Sequence, residues 1–282
     1  MRILVTGAGG GLGRALVEVL GGTGHDVRAV PHAELDIGDG PAVRAIVDEA
    51  RPALILNAAA FTKVDACEDE ANIDAAVAGN ALGPWKLAEA AAANGAIILH
   101  VSTDYVFDGE KGSAYEERDE VRPINRYGML KAFGEEHVRS TSDRHVIVRT
   151  GFVFGGGSDY LTGALRRLRE GEPAGGLVDR IGTPTYVRHL AERLVPLALT
   201  ERFGTYHLAG PEPTTWHDVL LRAKAFAGLP GDVLEQRAAE LDLPAPRPRN
   251  SALTSVLLPD LADEVPPMPP LDEGIRAALS RL

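Results

Sequence analysis

An α/β fold built on a doubly wound parallel sheet is the class that the sequence predicts, and three observations carry it. Short apolar runs alternate with helical segments through the first half of the chain. The runs are continuous rather than alternating in polarity. A glycine cluster separates the first run from the first helix. A strand covered by helices on both faces is buried on both faces, so it reads as an unbroken stretch of Val, Ile and Leu.

The elements follow in order. Residues 3–5 form the first strand. Residues 11–20 form the first helix, with Leu12, Leu16, Val19 and Leu20 on one side. Residues 27–30 are a second strand, and residues 41–50 a helix that starts on proline, whose missing N–H costs nothing at that position. Residues 53–56 are a third strand, 73–93 one long alanine-rich helix and 96–101 a fourth strand. A helix over 125–139 and a fifth strand over 145–148 close the pattern. Beyond residue 150 glycines and prolines become frequent. Helices are expected over 161–169, 187–199 and 215–227, with 241–248 proline-rich and irregular. The expected organisation is a nucleotide-binding domain over 1–150 and a smaller substrate-binding region over 151–282, interleaved with it rather than independent.

At 282 residues the chain can bury a substantial core without disulfide or metal staples. Its one cysteine, Cys67, lies among acids, which disfavour a thiolate, and excludes an internal disulfide framework. A reducing, cytoplasmic setting fits. The formal net charge is −11, with the acids spread along the chain, which argues against nucleic acid as a partner. The chain opens directly on a strand, so no signal peptide is expected. The longest apolar stretches fall far short of the roughly 20 residues that span a bilayer, so no membrane partner is expected either. No His, Asp and Glu cluster has metal-ligand spacing, so no metal is expected.

Gly7, Gly10 and Gly13 recur at every third position between the first strand and the first helix, with Gly11 and Leu12 among them. Such a turn needs free backbone torsions, close approach of a pyrophosphate to the backbone, and tight packing of helix on strand. The helix N-terminus then meets the phosphates with its unpaired N–H groups. This strand–turn–helix context makes the sheet Rossmann-like and the ligand a nicotinamide dinucleotide. An acid at the end of the second strand would accept from the ribose 2′-hydroxyl and repel a 2′-phosphate. Here Val30-Pro31-His32 stands in that place, with Asp36 later, nearer the adenine. With no acid, and with His32 and Arg14 nearby, the cofactor is NADPH or NADH, and NADPH is favoured.

Tyr127 and Lys131 lie four apart on an expected helix, hence on one face. Reducing a ketone requires a proton for the developing alkoxide. A free tyrosine ionises near pH ~10, and a lysine ammonium beside it favours the phenolate. The third element is Ser102-Thr103-Asp104-Tyr105-Val106-Phe107-Asp108-Gly109, directly after the fourth strand. Ligands of open parallel sheets sit beyond the carboxyl ends of the strands. A hydroxyl there can polarise a substrate carbonyl.

These stretches resemble the dTDP-4-dehydrorhamnose reductases, a branch of the extended short-chain dehydrogenase/reductases. Further matches are Glu34-Leu35-Asp36-Ile37, Asn57-Ala58-Ala59-Ala60-Phe61-Thr62, Arg149-Thr150, Gly182-Thr183-Pro184-Thr185, Thr215-Trp216-His217-Asp218 and Arg247-Pro248-Arg249-Asn250-Ser251. The resemblance implies a catalytic triad of Thr103, Tyr127 and Lys131. It implies a cofactor site lined by Gly10, Gly11, Leu12, Asp36, Ile37, Ala60, Phe61 and Thr62, to which Gly7, Gly13, His32 and Ala59 are added from the turn and strand ends. Thr103, Asp104 and Phe152 would touch the substrate. That substrate is a nucleotide-linked 4-keto-6-deoxy sugar, most simply dTDP-4-dehydro-L-rhamnose reduced to dTDP-L-rhamnose. A homodimer stays open.

Three departures bear on this. The family has Ser-Trp where this chain has Gly151-Phe152, at a position that contacts the sugar. Leu130 replaces a Ser or Thr before the lysine, and His32 replaces an arginine. Another dTDP-4-keto-deoxysugar is therefore an alternative substrate. The regulatory subunit of methionine adenosyltransferase resembles the same branch, so a dinucleotide-binding regulator is the alternative to an enzyme.

Overall fold

The computed structural model describes residues 1–281. Strands β1 (Arg2–Thr6), β2 (Asp26–Val30), β3 (Leu54–Asn57), β4 (Ile97–Thr103) and β5 (His145–Thr150) form one parallel sheet with the edge strand Gly204–His207. The spatial order is Gly204–His207, β5, β4, β3, β1, β2. After β2 the chain crosses back over β1 to enter β3. The switch point therefore lies between β1 and β3, and in open α/β sheets a crevice for ligands opens there.

Alternation along the strands sorts the core into two layers. Leu4, Ile55, Ile98 and Ile147 face Val43 and Val47 of helix α2 (Gly40–Ala50) and Leu87 and Ala88 of the later helix 83–94. Ile3, Val5, Leu54, Leu56, Leu99 and Val148 face Leu16 and Leu20 of helix α1 (Gly11–Leu20) and Leu190 and Leu194 of the helix 187–199. Helices thus cover both faces, which is why the strands carry apolar residues at successive positions.

The expected single helix over 73–93 is interrupted. It runs as α3 (Ile73–Val77), a π-helical turn (Ala78–Leu82) and α4 (Gly83–Asn94). Pro84 lacks the N–H that would continue the ladder. The Asn80 side chain faces inward and clamps the Phe61 backbone, accepting from Phe61 N and donating to Phe61 O, each at 2.9 Å. Composition favoured an unbroken helix, and a tertiary contact with the loop after β3 overrides it.

Helix α5 (Arg126–Thr141) is capped by Asn125, whose side chain accepts from Gly128 N at 2.8 Å. The later half supplies α6 (Tyr160–Arg169), α7 (Val187–Leu199) and α8 (Trp216–Ala227) as expected. It also holds elements the sequence reading passed over. These are the edge strand Gly204–His207, a parallel pair Ala174–Leu177 with Val233–Gln236, and helix α9 (Leu271–Leu279). Among the described residues no helix is long and apolar enough to cross a membrane.

Candidate active site

The glycine turn closes over the switch point. Gly7 has φ +69°, a left-handed backbone that side chains resist. A Cβ on Gly7 would sit 2.6 Å from Ala59 N, so the turn presses directly on the loop after β3. A Cβ on Gly13 would fall inside van der Waals contact of the Gly7 carbonyl. The N-cap of α1, Gly10, offers no side chain to the helix N–H groups, and no acid stands in the first turn. Those N–H groups are thus left for a ligand, and they suit a pyrophosphate.

Gly7, Gly10, Gly11, Leu12, His32, Asp36, Ile37, Ala59, Ala60, Phe61, Thr62, Thr103, Asp104, Tyr127, Lys131 and Phe152 all line one cavity of about 940 Å³. That is the upper end of the ~300–1,000 Å³ typical of small-molecule sites. Gly13 does not line it, because its part is to let α1 close on the turn. Arg14 reaches the carbonyls of Gly9 and Gly156 and ties the turn to the loop after β5. The acid nearest the second strand's end, Glu34, is exposed and paired with Arg28. His32 therefore stays the polar side chain at that corner of the cavity.

The carboxyl edge of β4 and the first turns of α5 bring Thr103, Tyr127 and Lys131 to the same cavity. A Cβ on Gly128 would run into the Tyr105 carbonyl, so glycine lets α5 approach the turn after β4. Tyr127 is half-buried in the cavity wall, and desolvation there pushes its phenol well above the usual tyrosine value, with the Thr103 hydroxyl working against the shift. A neutral phenol is the form that can give up a proton. Lys131 is 1% exposed and donates to the Val101 carbonyl at 2.7 Å. Its Nζ also lies 3.2 Å from His100 Nε2. The ammonium effect on Tyr127 expected from spacing is not the dominant one in this geometry, where desolvation leads.

Asp104 is the second polar focus. Thr103 Oγ1 donates to its Oδ1 at 3.0 Å and Ser251 donates to its Oδ2. Burial pushes its carboxyl up to about 6. A Cβ on Gly151 would stand 2.5 Å from Asp104 Cγ, so the departure from serine at 151 is what gives this carboxyl its room. Next to it, Phe152 is held at φ +48°, a strained conformation for an aromatic residue worth roughly 1–3 kcal/mol. Its ring stacks on Trp216 of α8 at 5.1 Å and 4°. Tyr160 completes the aromatic wall, 5.2 Å from Trp216.

Several residues in or behind the cavity wall had no role assigned from sequence. Trp216 and Ser251 lie in matched stretches far from the triad and had no position until the chain folded. His100 gave no signal at all, being a lone histidine in an apolar strand. Cys67 is fully buried, its thiol pushed up to about 11 by burial, and it does not line the cavity. Among the described residues no group of three or more His, Cys, Asp and Glu is placed to hold a metal.

A six-stranded parallel sheet, a glycine turn at its switch point and a Tyr/Lys pair with a hydroxyl at the next strand end define the short-chain dehydrogenase/reductase class. Within that class the chain belongs to the family described as RmlD substrate binding domain, matched over residues 1–279. It is 38% identical over 266 residues to a dTDP-4-dehydrorhamnose reductase of Aggregatibacter actinomycetemcomitans, covering 89% of this chain and 90% of that one. It is 40% identical over 260 residues to the dTDP-4-dehydrorhamnose reductase of Streptomyces griseus, covering 89% and 85%. The crystal structure of a dTDP-4-dehydrorhamnose reductase from Bacillus anthracis in complex with NADP superposes with a TM-score of 0.93 at 32% identity, covering 100% and 99%.

Proposed function

We propose that this protein catalyses the NADPH- or NADH-dependent reduction of the 4-keto group of a dTDP-linked 4-keto-6-deoxy sugar, dTDP-4-dehydro-L-rhamnose to dTDP-L-rhamnose. The observation that carries the reading is the convergence of Thr103, Tyr127 and Lys131 on the same cavity as the glycine turn. When bound, the reduced nicotinamide supplies the hydride. The chain's part is the proton and the geometry. Tyr127, kept as a neutral phenol by desolvation, donates its proton to the oxygen that becomes the new hydroxyl. Thr103 offers a hydroxyl to the same oxygen once it releases Asp104. Lys131, fixed by the Val101 carbonyl, is the group available to the nicotinamide ribose. The turn at Gly7–Gly11 and the bare N-terminus of α1 suit the pyrophosphate.

The complete triad favours an enzyme over a dinucleotide-binding regulator. The Phe152–Trp216 stack supports a flat apolar wall for the sugar where the family has tryptophan. The test is purified protein with NADPH and NADH in parallel, given dTDP-4-keto-6-deoxyglucose and the epimerase. Loss of the reduced-nicotinamide absorbance together with dTDP-rhamnose as product is the expected result. Tight dinucleotide binding with no turnover on any 4-keto sugar would overturn the reading.

A further inference from the structure

Three buried side-chain polar atoms have no hydrogen-bond partner among the described residues: Thr150 Oγ1, Arg180 Nε and His217 Nδ1. Arg180 and His217 lie outside the cavity. Thr150 lines it and is 4% exposed. An unpaired hydroxyl in that position costs folding free energy, and such groups are kept where something other than the folded chain pairs them.

Thr150 ends β5, and the register sets it opposite Thr103 at the end of β4. Side chains alternate along a strand. Val148 packs in the layer of α1 and α7, so Thr150, two residues on, points to the same side. Leu99 packs in that layer too, and Thr103 follows it by four residues. Two hydroxyls thus stand on one face of adjacent strands, but their situations differ. Thr103 Oγ1 accepts from Tyr105 N at 3.2 Å and donates to Asp104 Oδ1 at 3.0 Å. The other Asp104 oxygen is taken by Ser251, and Lys131 spends an N–H on the Val101 carbonyl. None of these polar neighbours turns to Thr150.

The surroundings narrow what can. Leu12, Val101, Val153 and Val187 line the cavity and pack in the same layer. The loop after β5 lays Gly156 against the start of α1, where a Cβ on Gly11 would stand 3.0 Å from Gly156 Cα. This side of the cavity therefore begins at the N–H groups that suit a pyrophosphate and continues as an apolar wall with one hydroxyl. A sugar carries hydroxyls around its ring and would strand them there. Nicotinamide is a flat ring with one polar substituent, an amide that both donates and accepts. So does a threonine hydroxyl.

We propose that Thr150 Oγ1 binds the carboxamide of the nicotinamide ring and positions the ring for hydride transfer. The carboxamide is attached beside the carbon that carries the hydride. Anchoring it at the end of β5 keeps that carbon next to the end of β4, where Thr103 and Tyr127 serve the substrate oxygen.

The proposal rests on the dinucleotide reading of the cavity and not on the choice of sugar, so its test needs no turnover. Thr150→Val keeps the shape of the side chain and deletes the hydroxyl. Titration calorimetry is run on the full chain with NADPH and with 2′-phospho-ADP-ribose, which is the same molecule without its nicotinamide. The variant should bind NADPH about three- to tenfold more weakly, the worth of one neutral hydrogen bond, and 2′-phospho-ADP-ribose as the wild type does. Thr150→Ser, which keeps the hydroxyl, should restore NADPH affinity. Without ligand, Thr150→Val should melt no lower than the wild type, because the hydroxyl it loses had no partner in the protein. Unchanged NADPH affinity, equal weakening of both ligands, or a lower melting temperature of the ligand-free variant would each overturn the assignment. Should the affinities split as expected while no 4-keto sugar is reduced, the reductase reading fails and the role of Thr150 stands.

Discussion

Asp104 ionises about 6 in the folded protein against an ordinary 3.8, and burial is the cause. The folded state thus binds a proton that the unfolded chain has already released, and stability falls as pH rises from 3.8 to about 6. The penalty is complete above that window and absent below it. A shift of this size corresponds to roughly 3 kcal/mol, with the lowering by the Ser251 and Thr103 hydrogen bonds already included in it. Asp104→Asn is accordingly expected to gain about 1–3 kcal/mol at neutral pH, with the gain gone at pH ~3.5. Urea midpoints at the two pH values check it, and a gain that persists in acid would count against the carboxylate as the source. The same change should lower turnover, because Thr103 then faces an amide. Tyr127→Phe should cut turnover by about 10²–10⁴-fold while leaving the melting temperature and dinucleotide affinity in place. Turnover that survives this change removes Tyr127 as proton donor. At this scale the spacing in the sequence put Tyr127 and Lys131 on one helix face, and both line the cavity with Thr103. It did not disclose His100 as Lys131's partner or Asn57 behind His100, because their relation is one of register between strands far apart in the chain.

At the scale of elements, the junction of β4, β5 and α5 is held by a buried ion pair. Arg149 and Glu135 are 3% and 2% exposed and meet at 2.7 Å, with Ser102 donating to the same carboxylate at 2.6 Å. Removing one partner strands a charge in the core. Arg149→Met should cost about 3–5 kcal/mol in denaturant unfolding, and adding Glu135→Gln should return much of it. A double variant no more stable than the single one would mean the cost is lost packing, not charge. The glycine turn makes a second prediction. Gly13→Ala drives a methyl into the Gly7 carbonyl and pushes α1 off the turn. Dinucleotide affinity should fall at least about tenfold, or 1.4 kcal/mol, by fluorescence titration, and an unchanged affinity would show that the turn yields. Strand positions and most helices were legible here, since each is written in local periodicity. The break at 78–82 was not, because Asn80 reads as an ordinary helix residue until the Phe61 loop arrives beside it.

Across the whole molecule the two halves share one sheet. Gly204–His207 pairs with β5, so the later half completes the structure that the first half begins. Its strand is short and carries Thr205 and His207 rather than an apolar run, which hid it. Ligand binding should act on the molecule as a unit. A cofactor at about a hundred times its Kd adds about 2.7 kcal/mol to stability, and the melting temperature should rise with it. With His32 and no acid at the end of β2, NADPH should raise it more than NADH at equal concentration. The opposite order would refute that account of the second strand.

What the sequence determined by itself was whatever depends on neighbours along the chain. That includes the doubly wound class from continuous apolar strands, the dinucleotide turn from three glycines, and the Tyr127/Lys131 face from one helical turn. Only the tertiary structure decided what depends on neighbours across it. It set Trp216 against Phe152, Ser251 against Asp104 and His100 against Lys131. The physical reason is burial. Desolvation shifts the proton affinities of Asp104, Tyr127 and Lys131, and a side chain's partners in the core are unknown until the sheet is assembled.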